Sequence, residues 1–412
     1  MMRLAVIFES SPFDRKGLFN AVHNRVKHLL ATGECTIDVF CVHSRDNAFT
    51  RRVRHTPEVP SVDETVVDGI RYRLLWYRFS ILDNVLLEKL HVRPWLFRRF
   101  MDSHVDLLKG YDAVIAHSFC GGLFALAAHE RFGVPYYVTW HGSDVHTHPW
   151  RVPVILEDTR AVMQSARCNF FVSRALLEAS ERITSNARKE VLYNGVSEDF
   201  VKYSLEDRAA VRERYGLAPE DKVVAFVGNL VTVKNVLSLP AIFAQVAKGY
   251  DGPLKFWIVG DGKLRKPLEA TMDLSFRPNE VSGEISFFGN QPSPVMPDIM
   301  NCIDVLVLPS LNEGLPLVCA EALSCGAAVV GSDVGGIAEV IGSENVVPLR
   351  SPSDNDASHG TPSGRPYDDS FVNGMAEKIV AALVGQTPSQ TLPSDISWVR
   401  TAALELTALK SL

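Results

Sequence analysis

Short apolar runs alternate with amphipathic stretches along almost the whole chain. "RLAVIF" (3–8), "TIDVFCV" (36–42), "AVIAH" (113–117), "PYYVTW" (135–140) and "CNFFVS" (168–173) are apolar over strand length. Segments with a helical period, such as 20–31 and 122–131, separate most of them. This alternation predicts parallel sheets covered by helices on both faces. The pattern then starts again, with "KVVAFVG" (222–228), "LKFWIVG" (254–260), "EISFFG" (284–289), "DVLVLPS" (304–310), "AAVVGSD" (327–333) and "NVVPL" (345–349). A charged, turn-rich stretch, 194–221, lies between the two series and reads as the domain boundary. The expectation is two doubly wound α/β domains, 1–200 and 201–394. Such domains in tandem place the C-terminal edges of two sheets across a cleft, where ligands of these sheets bind. The last stretch, 395–412, carries Trp398, Ala402, Leu404, Leu406 and Leu409 as an apolar stripe. It predicts a helix packed back on the first domain. Residues 350–369, rich in Ser, Pro, Asp and Gly, read as an exposed loop. No short repeat suggests a solenoid.

Composition adds bounds. The 412 residues are 46% hydrophobic and 22% charged, an ordinary globular balance. Their number exceeds what one core usually supports. The net charge of −6 argues against general affinity for nucleic acid. It is uneven: 25 Lys+Arg face 23 Asp+Glu in 1–200, and 17 face 25 in 201–412. Seven cysteines form no CxxC pair and no metal-finger spacing, and most lie in apolar runs, as reduced core thiols do. The first apolar run, 4–8, is too short for a signal-peptide core or a membrane span. These features predict a cytoplasmic protein, not one integral to a membrane.

The chemistry concentrates in "SLNEGLPLVCAEALSCG" (310–326). After an expected strand, "LNEG" turns and "LPLVCAEALSCG" has helical character, with Pro316 suited to the first turn and Gly326 to the stop. The backbone N–H groups around Gly314, Leu315, Pro316 and Leu317 would then form an anion site suited to a diphosphate. Glu313 and Glu321 flank it. Eight residues at helical rise span about 12 Å. A retaining glycosidase pair needs about 5–5.5 Å and an inverting pair about 6.5–9.5 Å, so the spacing disfavours a hydrolytic pair. It suits a grip on hydroxyls at two ends of one ligand. Taken singly, each glutamate is as well explained by the preference of acidic side chains for helix starts and solvated faces.

The stretch "NEGLPLVCAEALSCGAAVVGSDVGGIAEVI" resembles the E-x7-E segment and following glycine turn of glycosyltransferase family 4. "FVGNLVTVKN" (226–235) resembles the family's "vGrl-x-x-x-KG" loop, "WIVGDGKLRKPLE" its "iiGdG" strand and helix, and "ISFFGNQPSPVMPDIMNCIDVLVLPS" the next strand, helix and strand. "LYNGV" (192–196) and "YYVTWHGSD" (137–144 within it) are similar to first-domain motifs. The matches cover most of 110–342, in family order.

The resemblance implies the GT-B fold: two Rossmann-like domains facing across a cleft, acceptor bound by 1–200, nucleotide sugar by 201–394, with 395–412 returning to the first. It implies retaining transfer of a hexose or N-acetylhexosamine from a nucleotide diphosphate sugar to an acceptor hydroxyl, in cell-surface polysaccharide or glycolipid synthesis, without a metal cofactor. By resemblance Glu313 binds hydroxyls of the transferred sugar, Glu321 the ribose, Lys234 the diphosphate, and His141 the donor sugar. Base contacts are expected from backbone near Phe288, Gly289 and Asn290, and the phosphate lies near Gly17. The family usually has Arg where this chain has Asn229, so diphosphate stabilisation is expected to rest on Lys234 and the helix N-terminus. Gly335 and Gly336 are suited to positive φ. Ala338 stands where the family's "GG-x-PE" has Pro.

Three other features bear on function. His141, Asp144, His146 and His148 are possible metal ligands, His146 and His148 falling on one side if that segment is extended. No second ligand set accompanies them, and no metal is assigned. The D-x-D of "SDND" (353–356) follows no strand and reads as solvated. The stretch 71–100 carries Trp76, Trp95, Phe97 and Phe100 among six Arg. It fits an ordinary strand and helix, and it also fits peripheral contact with an anionic inner membrane face, through which family members reach lipid-linked acceptors. A nucleotide-sugar hydrolase or epimerase on the same fold is the alternative. A dinucleotide oxidoreductase lacks support, since "FESSPFDRKG" has no G-x-G-x-x-G.

Overall fold

A computed structural model describes residues 1–13, 17–44, 60, 62–77, 81–275, 283–349 and 367–411. The Asp354/Asp356 motif and most of the 350–369 loop lie outside these residues. The chain forms two compact units, Met1–Gly195 together with Ser397–Leu412, and Val196–Ile396.

The first unit is an eight-stranded sheet of β1 (Met2–Glu9), β2 (Cys35–Ser44), β3 (Glu64–Val67), β4 (Ile70–Tyr77), β5 (Ala113–His117), β6 (Tyr136–Trp140), β7 (Cys168–Phe171) and β8 (Lys189–Val191), in the order β3-β4-β2-β1-β5-β6-β7-β8. Its pairings are parallel except that between β3 and β4. The wholly parallel expectation is corrected at this edge. Asp68 and Gly69 both have positive φ, 47° and 79°, and form the two-residue hairpin that joins antiparallel strands. The signal was Asp-Gly between "ETVV" and "IRYRLLWY". The basic, aromatic stretch then divides into β4 and two helices, Ile81–Leu90 and Trp95–His104, the second capped by Pro94.

The core of this unit lies where β1, β2 and β5 meet the helix Gly17–Ala31 and the C-terminal helix Trp398–Lys410. Trp398, Ala402, Leu406 and Leu409 are buried along that last helix, at the i, i+4, i+8, i+11 spacing of one face. Leu404 is half exposed, which corrects the expected stripe: it falls off that face. The Tyr137 hydroxyl donates to the Ala408 carbonyl (3.0 Å) and the Thr401 hydroxyl to the Tyr193 carbonyl (2.6 Å), fixing the helix against the sheet.

The second unit is a parallel sheet of β9 (Lys222–Val227), β10 (Leu254–Val259), β11 (Glu284–Gly289), β12 (Val305–Leu308), β13 (Ala328–Ser332) and β14 (Val346–Val347), ordered β11-β10-β9-β12-β13-β14. In chain order that is the 3-2-1-4-5-6 arrangement of a dinucleotide-binding sheet. The strand order reverses between β9 and β12. A side-by-side pair of carboxyl ends there opens a crevice, because the following crossovers leave in opposite directions. The stretch 196–221 is structured as part of this unit. Its helix Leu205–Arg214 is held by Arg208, which donates to Asp304 (3.0 Å), and by Arg212, which donates to the Cys302 carbonyl (2.6 Å).

Candidate functional site

The loops after β9 and β12 converge at this reversal. Lys234 ends a single 3-10 turn, Thr232–Lys234, and Asn235 after it takes the left-handed conformation (φ 51°) at the position where the resembling motif has Gly. Asn tolerates that conformation better than other residues with a Cβ. The Leu311 N–H donates to the Val233 carbonyl (2.8 Å), tying the two loops together. The result is a direct pair: Lys234 Nζ donates to Glu313 Oε1 at 2.6 Å, and the Ser310 hydroxyl donates to the same oxygen at 2.6 Å. Both side chains are largely shielded. Sequence reasoning assigned Lys234 and Glu313 to different parts of one ligand and did not foresee their mutual contact. Ser310 was also missed. It lies three residues before Glu313, a spacing at which Ser commonly turns back on a neighbouring group.

The helix begins later than expected, spanning Leu317–Ser324, with Pro316 as its extended N-cap residue instead of a residue of the first turn. Glu313 is therefore a loop residue. The span of about 12 Å assumed for continuous helix does not apply to the pair. What separates their roles is environment: Glu313 is held by Lys234 and Ser310, whereas the Glu321 carboxylate has no hydrogen-bond or ion-pair partner among the described residues. Burial alone pushes the Glu321 carboxyl up to about 7. Between the two glutamates, the N–H groups of Gly314, Leu315, Leu317 and Val318 donate to no other described residue. Leu317 and Val318 carry the open donors of the helix start, and Gly314 and Leu315 precede its cap.

A second missed feature fixes this loop. The Gly336 N–H donates to the Gly314 carbonyl (3.0 Å), and Gly335 packs on the Glu313 backbone with φ 53°. A Cβ on Gly335 would fall on the Glu313 carbonyl oxygen. Only Gly335 needs the left-handed region; Gly336, at φ −84°, does not, contrary to expectation. On the other side, Gly228 and Leu230 N–H groups donate to Val259 and Asp261 carbonyls (both 2.9 Å), which leaves Asn229 exposed beyond the end of β9. Phe288 stacks obliquely on Trp257 (4.7 Å) and its carbonyl accepts from the Gln291 side chain (2.7 Å). The Gly289 carbonyl accepts from the Gly260 N–H (2.8 Å), and Asn290 follows, exposed.

In the first unit Gly17 opens the helix Gly17–Ala31 with φ 32°, exposed and with open space around it. His141 follows β6. Asp144 accepts from the His141 N–H (3.2 Å) and the Gly142 N–H (2.8 Å), so this carboxylate holds backbone. Residues Ser143–His146 and His148–Arg151 are helical turns, not the extended segment that would align His146 with His148. Among the described residues no three His, Cys, Asp or Glu side chains group as metal ligands. His141 Nε2 lies 3.1 Å from His117 Nδ1. Burial, reinforced by Arg25, lowers the His141 pKa to about 3, so its ring is neutral at ordinary pH. Among the described residues no helix is long and apolar enough to cross a membrane, and all seven cysteines are buried free thiols.

Residues 17–195 match the family described as "Glycosyl transferase 4-like domain", and residues 221–358 match "Glycosyl transferases group 1". The chain is 29% identical, over 241 residues, to the Bacillus subtilis (strain 168) glycosyltransferase TuaC, named for teichuronic acid biosynthesis; the match covers 58% of this chain and 56% of that one. The chain spans little more than half the length of the curated relatives it matches. By structure it resembles sucrose-phosphate synthase from Thermosynechococcus elongatus (TM-score 0.69, 17% identity, covering 100% of this chain and 99% of that one). It also resembles Anabaena HepE in complex with UDP and glucose (TM-score 0.65, 15% identity, 100% of both chains). At these identities the two structures speak to the GT-B fold alone.

Proposed function

The chain belongs to the glycosyltransferases, as a 4-like domain followed by a group 1 domain, and from that membership we propose that it transfers a sugar from a nucleotide diphosphate donor to an acceptor hydroxyl with retention of configuration. One observation carries the reading: Lys234, Glu313, Glu321 and four open N–H groups lie on the two loops that flank the reversal of the second sheet and on the helix that follows the second loop. A cation and amide donors beside two carboxylates fit an anion linked to hydroxyl-bearing rings.

In this reading the 314–318 amides and Lys234 bind the diphosphate. Lys234 already stands within reach, held by Glu313. Donor binding exchanges that contact for phosphate oxygens and frees Glu313 for sugar hydroxyls. Charge that builds on the leaving diphosphate meets groups placed beforehand, which lowers the barrier without reorganisation. Glu321 binds the ribose. Asn229 adds a hydrogen bond without charge, which leaves Lys234 as the cation of this loop pair. In this reading the backbone of Phe288, Gly289 and Asn290 meets the base. His141, neutral, orients a hydroxyl without adding charge, and Gly17 leaves room for phosphate. The diphosphate itself takes the acceptor proton, and no divalent ion is part of the proposal. The acceptor is a saccharide or a lipid-linked saccharide, the sugar a hexose or N-acetylhexosamine. UDP-glucose is the donor to test first, since HepE is known with UDP and glucose.

The test is transfer from nucleotide sugars to saccharide acceptors. Lys234→Ala is expected to lower kcat by about 10²–10³-fold, the usual cost of removing one donor to developing charge. An unchanged kcat with only a raised KM would remove Lys234 from the chemistry, and donor consumption without acceptor would favour a hydrolase.

A lipid-linked acceptor is favoured by one surface. Trp95, Leu90, Val92 and Leu96 are exposed, Trp95 by 62%, beside Lys89, Arg98 and Arg99. The helix Trp95–His104 buries none of its residues. Sedimentation with vesicles containing anionic lipid is expected to capture the protein, with capture reduced by Trp95→Ala and by added salt. Equal recovery with and without vesicles would restrict the acceptor to soluble saccharides.

A further inference from the structure

The most deeply buried charges in the first unit take no part in the chemistry above. Arg25, on the helix Gly17–Ala31, is 1% exposed, and Glu405, on the C-terminal helix, is 0% exposed. Arg25 Nη1 donates to the Thr139 hydroxyl at 2.5 Å, and Nε lies 3.6 Å from Glu405 Oε2, too far for a hydrogen bond. Among the described residues, Arg25 Nε and Nη2 and both Glu405 carboxylate oxygens have no hydrogen-bond partner. Two ions held this way are costly unless they serve something beyond stability.

Their neighbours indicate what. Thr139 on β6 stands in register with His117 on β5, so the two side chains lie side by side on one face. His141 follows Thr139 by two residues and contacts His117, Nδ1 to Nε2, at 3.1 Å. The order is thus Glu405, Arg25, Thr139 beside His117, then His141.

We propose that Arg25 is a positioning residue for His141: acting through His117, it sets the ring tautomer of His141 and leaves Nδ1–H as its free donor. The inference rests on the reading of His141 as a sugar-orienting residue. One proton lies between the two ring nitrogens. If His141 Nε2 carries it, His117 must carry its own proton on Nε2, which is buried and has no partner among the described residues. That choice strands an N–H donor in the field of a cation. If His117 Nδ1 carries it, Nε2 of His117 presents a lone pair instead, which the Arg25 field favours. A guanidinium donates and never accepts, so it cannot reward the first choice. Both rings are neutral, since burial and Arg25 each disfavour their protonation. His141 then has one proton, on Nδ1. It donates to a hydroxyl or phosphate oxygen and has no free nitrogen with which to accept a proton.

The experiment is long-range 1H–15N correlation on histidine-labelled, full-length, ligand-free protein at neutral pH, with assignment by His141→Asn and His117→Asn. The expected pattern is Nδ1-protonated, Nε2-bare for His141 and for His117. Arg25→Lys retains the pattern. Arg25→Met combined with Glu405→Leu, which removes both charges together so that neither is stranded, shifts His141 toward Nε2–H. A proton on Nε2 of His141 in the unsubstituted protein overturns the proposal, whether or not the double variant folds. So does an unchanged pattern in a folded double variant. Full transfer activity in His141→Asn would instead sink the sugar-orienting role and leave the tautomer result standing.

Discussion

Among single residues, Glu321 is the proposed site carboxylate whose environment departs most from solvent. Its carboxyl is shielded and unpartnered, and its pKa is raised from 4.5 to about 7. The unfolded chain therefore releases this proton near pH 4.5, while the folded chain keeps it until about pH 7. Stability from this group is complete below 4.5 and is lost as pH rises through 7. A shift of that size is worth about 3 kcal/mol. Glu321→Gln is expected to leave Tm unchanged near pH 4.5 and to raise it above pH 8. Parallel Tm curves for the two proteins from pH 4 to 9 would show that the carboxyl is solvated. Lys234 and Glu313 were recognisable as candidate site residues through the family motifs their segments resemble. Their contact was not, because a 2.6 Å pair across 79 residues depends on where two loops end. Arg25 and Glu405 escaped notice although each had a signal. Arg25 falls three residues after Val22 and four before Leu29, and Glu405 three after Ala402 and four before Leu409, all buried. A charge within an apolar stripe was the clue.

At the scale of elements, the strands were legible because continuous apolar runs have one simple home, a sheet covered on both faces. The short edge pieces β3 and β8 were not, since exposed strands lack that pattern. The helix after β12 was foreseen but misplaced at its start, because Pro316 fits both the first turn and the cap. The glycine turn 335–336 is the element that holds the Glu313–Gly314 loop. Gly335→Ala forces a side chain into the Glu313 carbonyl and requires a φ that Ala disfavours. The variant is expected to fold with lowered Tm and to bind nucleotide sugar more than about tenfold more weakly, a loss of at least about 1.4 kcal/mol. Titration calorimetry with undiminished affinity would show that the turn does not position Glu313.

For the whole molecule, the division into Met1–Gly195 with Ser397–Leu412, and Val196–Ile396, puts Lys234, Glu313, Glu321 and the 314–318 amides of the proposed site in one unit. A nucleoside diphosphate at a hundredfold excess over its Kd adds about 2.7 kcal/mol of stability. Hydrogen exchange on the full chain is expected to show protection by UDP at 228–235 and 310–318, and Lys234→Ala is expected to abolish it. Protection by none of UDP, GDP or ADP would place the donor site elsewhere.

The sequence alone determined the two α/β sheets, the C-terminal helix and the residue types of the site, because apolar period and motif spacing are local properties of the chain. Tertiary structure decided the rest: that Lys234 holds Glu313, that Gly335 and Gly336 brace the loop, that Glu321 lacks a partner among the described residues, and that Arg25 meets Glu405 and the Thr139 that stands beside His117. Each of these depends on which side chains meet after distant segments pack, and burial, charge pairing and tautomer follow from that meeting rather than from order along the chain.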